Sequence, residues 1–245
     1  MHGYKEINSI FGTTCVINLR TRPDRRIEMA EQLEHIGLSF ESPHLTLLQV
    51  SKPDGPAGFD TAGVRGCFMS HLQALRDAMR HGTKSILILE DDLNFCDNFC
   101  SKFDAVANWL DANEWGMFYG SYLLAEPLDQ PDAVCTRVDP ARPIGTSAFV
   151  AVNGRHIGAL VHYLEAMLQR PPGDAHGGPM HIDGAYCWFR QSHPEVLTCL
   201  SSVPLGFQRS SRTDVQALRW FDRFAGSAWL VARLRRWRNQ SRWQG

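Results

Sequence analysis

The run Ile86-Leu87-Ile88-Leu89 followed at once by Glu90-Asp91-Asp92 constrains this chain more than any other segment. Four aliphatic residues without polar alternation fit a strand buried on both faces, the pattern of a parallel sheet covered by helices. Ligands of open α/β sheets bind outside the carboxyl ends of their strands. Three adjacent acids there repel one another, and a hard divalent cation such as Mg²⁺ or Mn²⁺ is an apt compensating partner because it prefers oxygen ligands. A solvated acidic turn is the plain alternative.

The rest of the chain supplies the elements such a sheet needs. Residues 14–19 read as a first strand, followed by a helix with Thr21 as N-cap, Pro23 in its first turn and Met29, Leu33 and Ile36 as its buried stripe. A Pro- and Gly-rich loop over 51–63 leads to a helix from about Cys67 to His81. Another helix is expected over 98–110, a short strand over 117–119, a strand over 147–152, and a helical period through Ile157, Leu160, Val161, Leu164 and Leu168. The segment 171–181 reads as a mobile loop, and a strand near 196–200 ends the regular part. Strands alternating with helices predict a three-layer α/β sandwich. The expected division is a main α/β domain over 1–215 and a basic, Trp-containing helical tail over 216–245.

Composition narrows the partners. A formal net charge of −1 across 245 residues gives no basic field for nucleic acid. Seven scattered cysteines suggest a reducing compartment rather than a disulfide framework, and Cys96 with Cys100 lacks the second pair that a zinc site needs. Residues 1–10 have no signal-peptide core and no 18-residue apolar run occurs, so the expectation is a cytoplasmic protein without a spanning helix. In the tail Leu230, Leu234 and Trp237 recur at helical spacing beside Arg233 and Arg236. That pattern suits an anionic membrane surface, or a helix packed on the domain.

Two further clusters bear on chemistry. Arg20, Arg22, Arg25 and Arg26 surround the first helix N-terminus, where the macrodipole already favours anions. They suit a nucleotide's phosphates, or an exposed arginine cluster with acid partners; no Gly-x-Gly-x-x-Gly or Walker pattern is present. His71 shares a helix face with Phe68 and Leu75, which points it inward, as a core histidine or as part of a site one helix before the acids.

Taken in order, Val16-Ile17-Asn18-Leu19 with Pro23-Asp24-Arg25-Arg26, Gly66-Cys67-Phe68-Met69-Ser70-His71 and Ile86 to Asp92 resemble glycosyltransferase family 25, which includes lipopolysaccharide β-galactosyltransferases and collagen galactosyltransferases. Gly145 to Phe149, Ile182-Asp183, and Pro204 with Gln208 and Ser211 extend the resemblance over roughly residues 14–215. It implies a GT-A-type, Rossmann-like sandwich with a mostly parallel central sheet, and an inverting, metal-dependent transfer of a hexose, galactose from UDP-galactose, to a cell-surface glycan, lipid-linked in some members. By the same resemblance Asn18, Arg25, Ser70, His71, Glu90 and Asp91 are donor-binding, with Glu90 or Asp91 on the ribose side. Asp92 meets the Mn²⁺ or Mg²⁺, and Asp183 is the general base, the alternative for Asp183 being a helix cap. The chain departs from the family at Arg20-Thr21-Arg22, where Asp-Arg-Ser is usual, and at Arg212 to Val215, where Ser-Asp-Ile is usual. A sugar nucleotidyltransferase and a silent binding module are the competing readings; the glycine-free stretch Leu19–Arg26 disfavours the first.

Overall fold

Side chains alternate strictly between two apolar layers along the central strands, and this alternation builds the sandwich. The computed structural model describes residues 7–128 and 133–209. Its elements in chain order are α1 (Ile7–Ile10), β1 (Thr13–Leu19), α2 (Pro23–His35), β2 (Leu45–Val50), α3 (Ala62–Arg80), β3 (Ser85–Glu90), β4 (Leu93–Phe95), α4 (Phe99–Ala112), β5 (Met117–Leu123), β6 (Cys135–Val138), β7 (Gly145–Asn153), α5 (Gly154–Leu168), α6 (Ile182–Ser192), β8 (Thr198–Ser201) and β9 (Gly206–Gln208). Ile86, Ile88, Val150 and Val152 face one layer with α3, α5 and α6. Leu87, Leu89, Phe149 and Ala151 face the other with α2 and α4. A period of two in strands makes each buried on both sides.

The seven-stranded sheet has the order β2-β1-β3-β7-β5-β8-β6. β1 pairs in parallel with β2 and β3, and β5 with β8, whereas β7 runs antiparallel to β3 and β5, and β6 antiparallel to β8. Five strands therefore share one direction, the mostly parallel three-layer sheet that the sequence predicts. Because β7 runs the other way, its first residues lie at the same sheet edge as the last residues of β1 and β3. A two-stranded ribbon of β4 and β9 joins that edge.

Several boundaries differ from the sequence reading. α3 starts at Ala62 rather than Cys67, because the Thr61 hydroxyl accepts from the Val64 N–H at 3.1 Å and caps the helix inside the expected loop. Arg22, not Thr21, is the N-cap of α2, and its side chain turns to Asp24 instead of capping. The short strands β2, β6 and β9 and the ribbon were not evident from periodicity. The 171–181 segment is a loop among the described residues. The boundary expected at residue 215, Ser211, Arg212 to Val215 and the tail lie outside the described residues.

Gly206 shows why glycine is needed in the ribbon. A Cβ there would sit 2.5 Å from the Asn94 carbonyl oxygen. Gly206→Ala should lower stability by about 1–3 kcal/mol, the usual cost of overpacking. Gly63→Ala, where the nearest atom to an added Cβ is an ordinary 3.6 Å away, should be neutral or stabilising in its helix. Urea unfolding of both variants checks the contrast.

Candidate active site

The acids at the C-terminal edge of β3 gather side chains from several other elements. Glu90 ends β3, and Asp91 and Asp92 form the turn into β4. Asn18 lies beside them because β1 pairs with β3, Ile17 opposite Glu90. Arg25 reaches in from the first turns of α2, His71 from α3, Thr146 and Ser147 from the start of β7, Asp183 from the first turn of α6, and Gln208 from β9.

The three acids are held in different ways. Asp91 accepts from Asn18 Nδ2 at 2.8 Å and from Arg25 Nη1 at 3.0 Å. The same Arg25 Nη1 lies 3.1 Å from Asp92 Oδ2. Gln208 Nε2 donates to Asp92 Oδ1 at 3.1 Å. Glu90 Oε1 accepts from the Ser147 hydroxyl at 2.6 Å and lies 3.2 Å from His71 Nε2. A carboxylate only accepts, so Nε2 carries the proton in the neutral ring and Nδ1 accepts from the Tyr186 hydroxyl, 2.9 Å away. His71 and Tyr186 are fully buried.

Asp183 joins this group through a chain of bonds. Its Oδ2 accepts from the Thr146 backbone N–H at 3.1 Å, and the Thr146 hydroxyl donates to Gln208 Oε1 at 3.2 Å. Thr146 has φ 64°, a left-handed conformation that a β-branched residue adopts only at a cost on the order of 1–3 kcal/mol. That strain aims its N–H at Asp183 while its side chain meets Gln208.

Seven of the eight residues singled out in the sequence share this network: Asn18, Arg25, His71, Glu90, Asp91, Asp92 and Asp183. Ser70 does not join it through its hydroxyl, which donates one turn back to the Gly66 carbonyl at 2.7 Å. Of the arginine cluster, Arg25 alone pairs with these acids: Arg20 Nε donates to the Gln49 carbonyl, and Arg22 pairs with Asp24. Thr146, Ser147, Tyr186 and Gln208 carry contacts that were not assigned from sequence. Thr146, Ser147 and Gln208 lie inside motifs of the family resemblance, and Tyr186 lies three residues, about one helical turn, after Asp183.

The electrostatics separate the carboxylates. Burial works against the Glu90 charge, but the His71 hydrogen bond, with help from Ser147 and Arg25, holds it below the usual carboxylate range. Burial, and then repulsion from Glu90, pushes Asp92 up to about 7 despite Arg25. Burial and Glu90 likewise raise Asp183. Among the described residues, one guanidinium shared by Asp91 and Asp92 beside Glu90 and Asp183 leaves an excess of negative charge. The buried side-chain carbonyl oxygen of Asn18 also has no hydrogen-bond partner among the described residues, which costs about 1–3 kcal/mol unless something satisfies it. An all-oxygen donor set with surplus negative charge fits Mg²⁺ or Mn²⁺, and Asp92, the least compensated of the three, could hold the ion with Asp91 beside it.

The raised Asp92 value has a definite sign. Between about pH 4 and 7 the folded state keeps a proton that the unfolded chain has released, so stability falls as pH rises through that window. Asp92→Asn keeps the volume and removes the buried charge. In metal-free buffer the variant should be more stable than the parent by about 1–3 kcal/mol above pH 7, with the difference vanishing near pH 4. Thermal melts across that pH range check the prediction; equal stabilities at pH 8 would contradict it.

Comparison with known proteins agrees with this region of the chain. Residues 60–143 match the family model described as glycosyltransferase family 25 (LPS biosynthesis protein). A protein of Acanthamoeba polyphaga mimivirus named "Putative glycosyltransferase" is 33% identical over 112 residues, 40% of this chain and 34% of the viral protein. The human protein named inactive glycosyltransferase 25 family member 3 is 27% identical over 127 residues, 44% of this chain and 21% of the human protein. The chain thus spans about a third or less of the length of these relatives. The solved mannose-1-phosphate geranyltransferase from Thermus thermophilus is similar at 15% identity and a TM-score of 0.42, over 80% of this chain and 74% of that one. Across residues 60–143, which carry Cys67, His71, Glu90, Asp91 and Asp92, this chain is similar to glycosyltransferase family 25.

Proposed function

We propose that this chain is an inverting glycosyltransferase that moves a hexose, galactose from UDP-galactose, to a cell-surface glycan with the help of Mn²⁺ or Mg²⁺. The observation that carries the reading is the separation of three carboxylates at one sheet edge: Glu90 held charged, and Asp92 and Asp183 raised on either side of the Gln208–Thr146 bridge. Asp92, with Asp91, would hold the cation, whose chemistry when bound is to offset charge on the departing diphosphate. Asn18 and Arg25 position the nucleotide side of the donor. Asp183 takes the proton of the acceptor hydroxyl as that oxygen bonds to the anomeric carbon and the bond to the diphosphate breaks. A carboxylate raised toward neutrality is a better base than an ordinary one.

A silent binding module draws support from two observations. Arg25 already pairs with Asp91 and Asp92, and the human relative is named inactive. A panel of radiolabelled nucleotide sugars, with Mn²⁺ or with EDTA, separates the readings. Sugar release from one donor, abolished by EDTA, is the expected result, and no turnover of any donor would favour the silent module. Formation of a nucleotide sugar from nucleoside triphosphate and sugar 1-phosphate would favour a nucleotidyltransferase. Asp183→Asn should lower transfer by about 10²–10⁴-fold while nucleotide affinity is kept. Equal loss of both would place Asp183 on the donor side.

The acceptor is proposed to be met at the cytoplasmic face of a membrane. No helix among the described residues is long and apolar enough to cross one. Seven arginines after Val215 would each contribute on the order of 1 kcal/mol near an anionic leaflet. Removal of the residues after Ser227 should abolish sedimentation with anionic vesicles at low salt and spare nucleotide binding. If the intact chain ignores such vesicles at low salt, the tail is structural and this membrane reading is overturned.

A further inference from the structure

We propose that Cys67, His71 and Glu90 form a binding site for a borderline-soft divalent cation, Zn²⁺ or its Co²⁺ substitute, distinct in its donors from the oxygen-rich position at Asp91 and Asp92. The proposal does not rest on glycosyl transfer. Cys67 and His71 are four residues apart on α3, hence one above the other on a single face, and Glu90 ends the strand beneath them. One donor atom from each of the three lies within 4.8 Å of the others.

The spacing suits tetrahedral coordination. Bonds of about 2.0 Å to nitrogen and oxygen place two ligand atoms about 3.3 Å apart; His71 Nε2 and Glu90 Oε1 are 3.2 Å apart. A thiolate at about 2.3 Å would lie about 3.5 Å from each, so from a spacing within 4.8 Å the Cys67 sulfur would have about 1 Å or less to move. Metal-binding histidines are usually fixed through their other ring nitrogen, and ligating carboxylates by a further hydrogen bond. Both supports are in place: the Tyr186 hydroxyl on His71 Nδ1 at 2.9 Å and the Ser147 hydroxyl on Glu90 at 2.6 Å. His71 is wholly buried, whereas Cys67 and Glu90 are partly exposed and give an entry path. The thiol distinguishes the site, because sulfur and imidazole favour Zn²⁺ over Mg²⁺ or Mn²⁺.

Protons balance simply. Cys67 releases its thiol proton to solvent. His71 stays neutral by carrying its proton on Nδ1, from which it donates to the Tyr186 oxygen. Three protein ligands leave a fourth coordination position for water or a ligand group.

The test is titration of the full chain with Co²⁺ in the absence of nucleotide. A thiolate-to-cobalt charge-transfer band saturating at one equivalent, and lost when Zn²⁺ is added, is expected. Cys67→Ala should abolish the band, while Cys96→Ser and Cys100→Ser keep it. Tyr186→Phe should weaken Co²⁺ binding by about 10–100-fold, the usual effect of losing a supporting bond to a ligand. Absence of the band, its persistence in Cys67→Ala, or its loss in Cys100→Ser overturns the proposal. Should Cys67→Ala fail to fold, an unchanged affinity in Tyr186→Phe overturns it equally.

Discussion

Negative charge taken out of water at the end of β3 is the constraint on which the rest of this structure depends. Asp91 and Asp92 are each 6% exposed, and a buried carboxylate survives ionised only with charge or hydrogen bonds supplied by its neighbours. The apolar middle of the sheet cannot supply them. Strand ends and helices at its edge therefore bring them: Asn18 and Arg25 to Asp91, Arg25 and Gln208 to Asp92, His71 and Ser147 to Glu90. Each contact ties a distant segment to one short turn. Breaking one partner of such a set is costly because the other is left buried and uncompensated.

The same requirement explains the least regular parts of the fold. β7 has to enter the sheet against the direction of β3, for only then do Thr146 and Ser147 arrive at the acidic edge. β9 is three residues long and half exposed, too small to be stable alone, yet it places Gln208 on Asp92. Thr146 keeps a backbone conformation unsuited to its side chain because the N–H and hydroxyl are needed in two directions at once. Strain and exposed polar contacts concentrated at one edge are what a site accepts for position rather than for stability.

How far all this was legible from sequence depends on the range of the interaction involved. β3 and β7 were evident because residues buried on both faces read as continuous apolar runs. α3 and α5 were evident because period 3.6 is a local signal. β2, β6 and β9 carry no such signal: each is short, and pairing with a partner strand is what keeps it extended. The start of α3 was misplaced because Thr61 caps it from within a segment whose glycines and prolines suggested loop. At the site, the acidic triplet and Asp183 stood out by residue type, and Asn18, Arg25 and His71 by position within ordered motifs. The Gln208–Asp92 contact joins residues 116 apart, and the turn of the Arg22 side chain to Asp24 follows from geometry that no pattern displays. Ser70 was assigned with His71 through the motif that the two share, but neighbours on a helix point in different directions, and its proton goes back to Gly66.

The division among the carboxylates is the step from architecture to chemistry. Four acids in one place cannot all ionise alike, and environment decides which hold their charge. Glu90 is met by His71, Ser147 and Gln208 and settles low, and its charge adds to the burial that already raises Asp92 and Asp183. A cation at Asp92 would relieve that repulsion locally while leaving Asp183 under the influence of Glu90, across the Gln208–Thr146 bridge. One residue would so hold metal and the other stay basic, although both are aspartates raised for the same reasons. Glu90 also faces Cys67 and His71, so a thiophilic ion bound there would draw on its charge and weaken its hold on both aspartates. The charge on Glu90 is thus the term through which the two proposed cation positions are coupled, and by linkage each would alter the affinity of the other to the same extent.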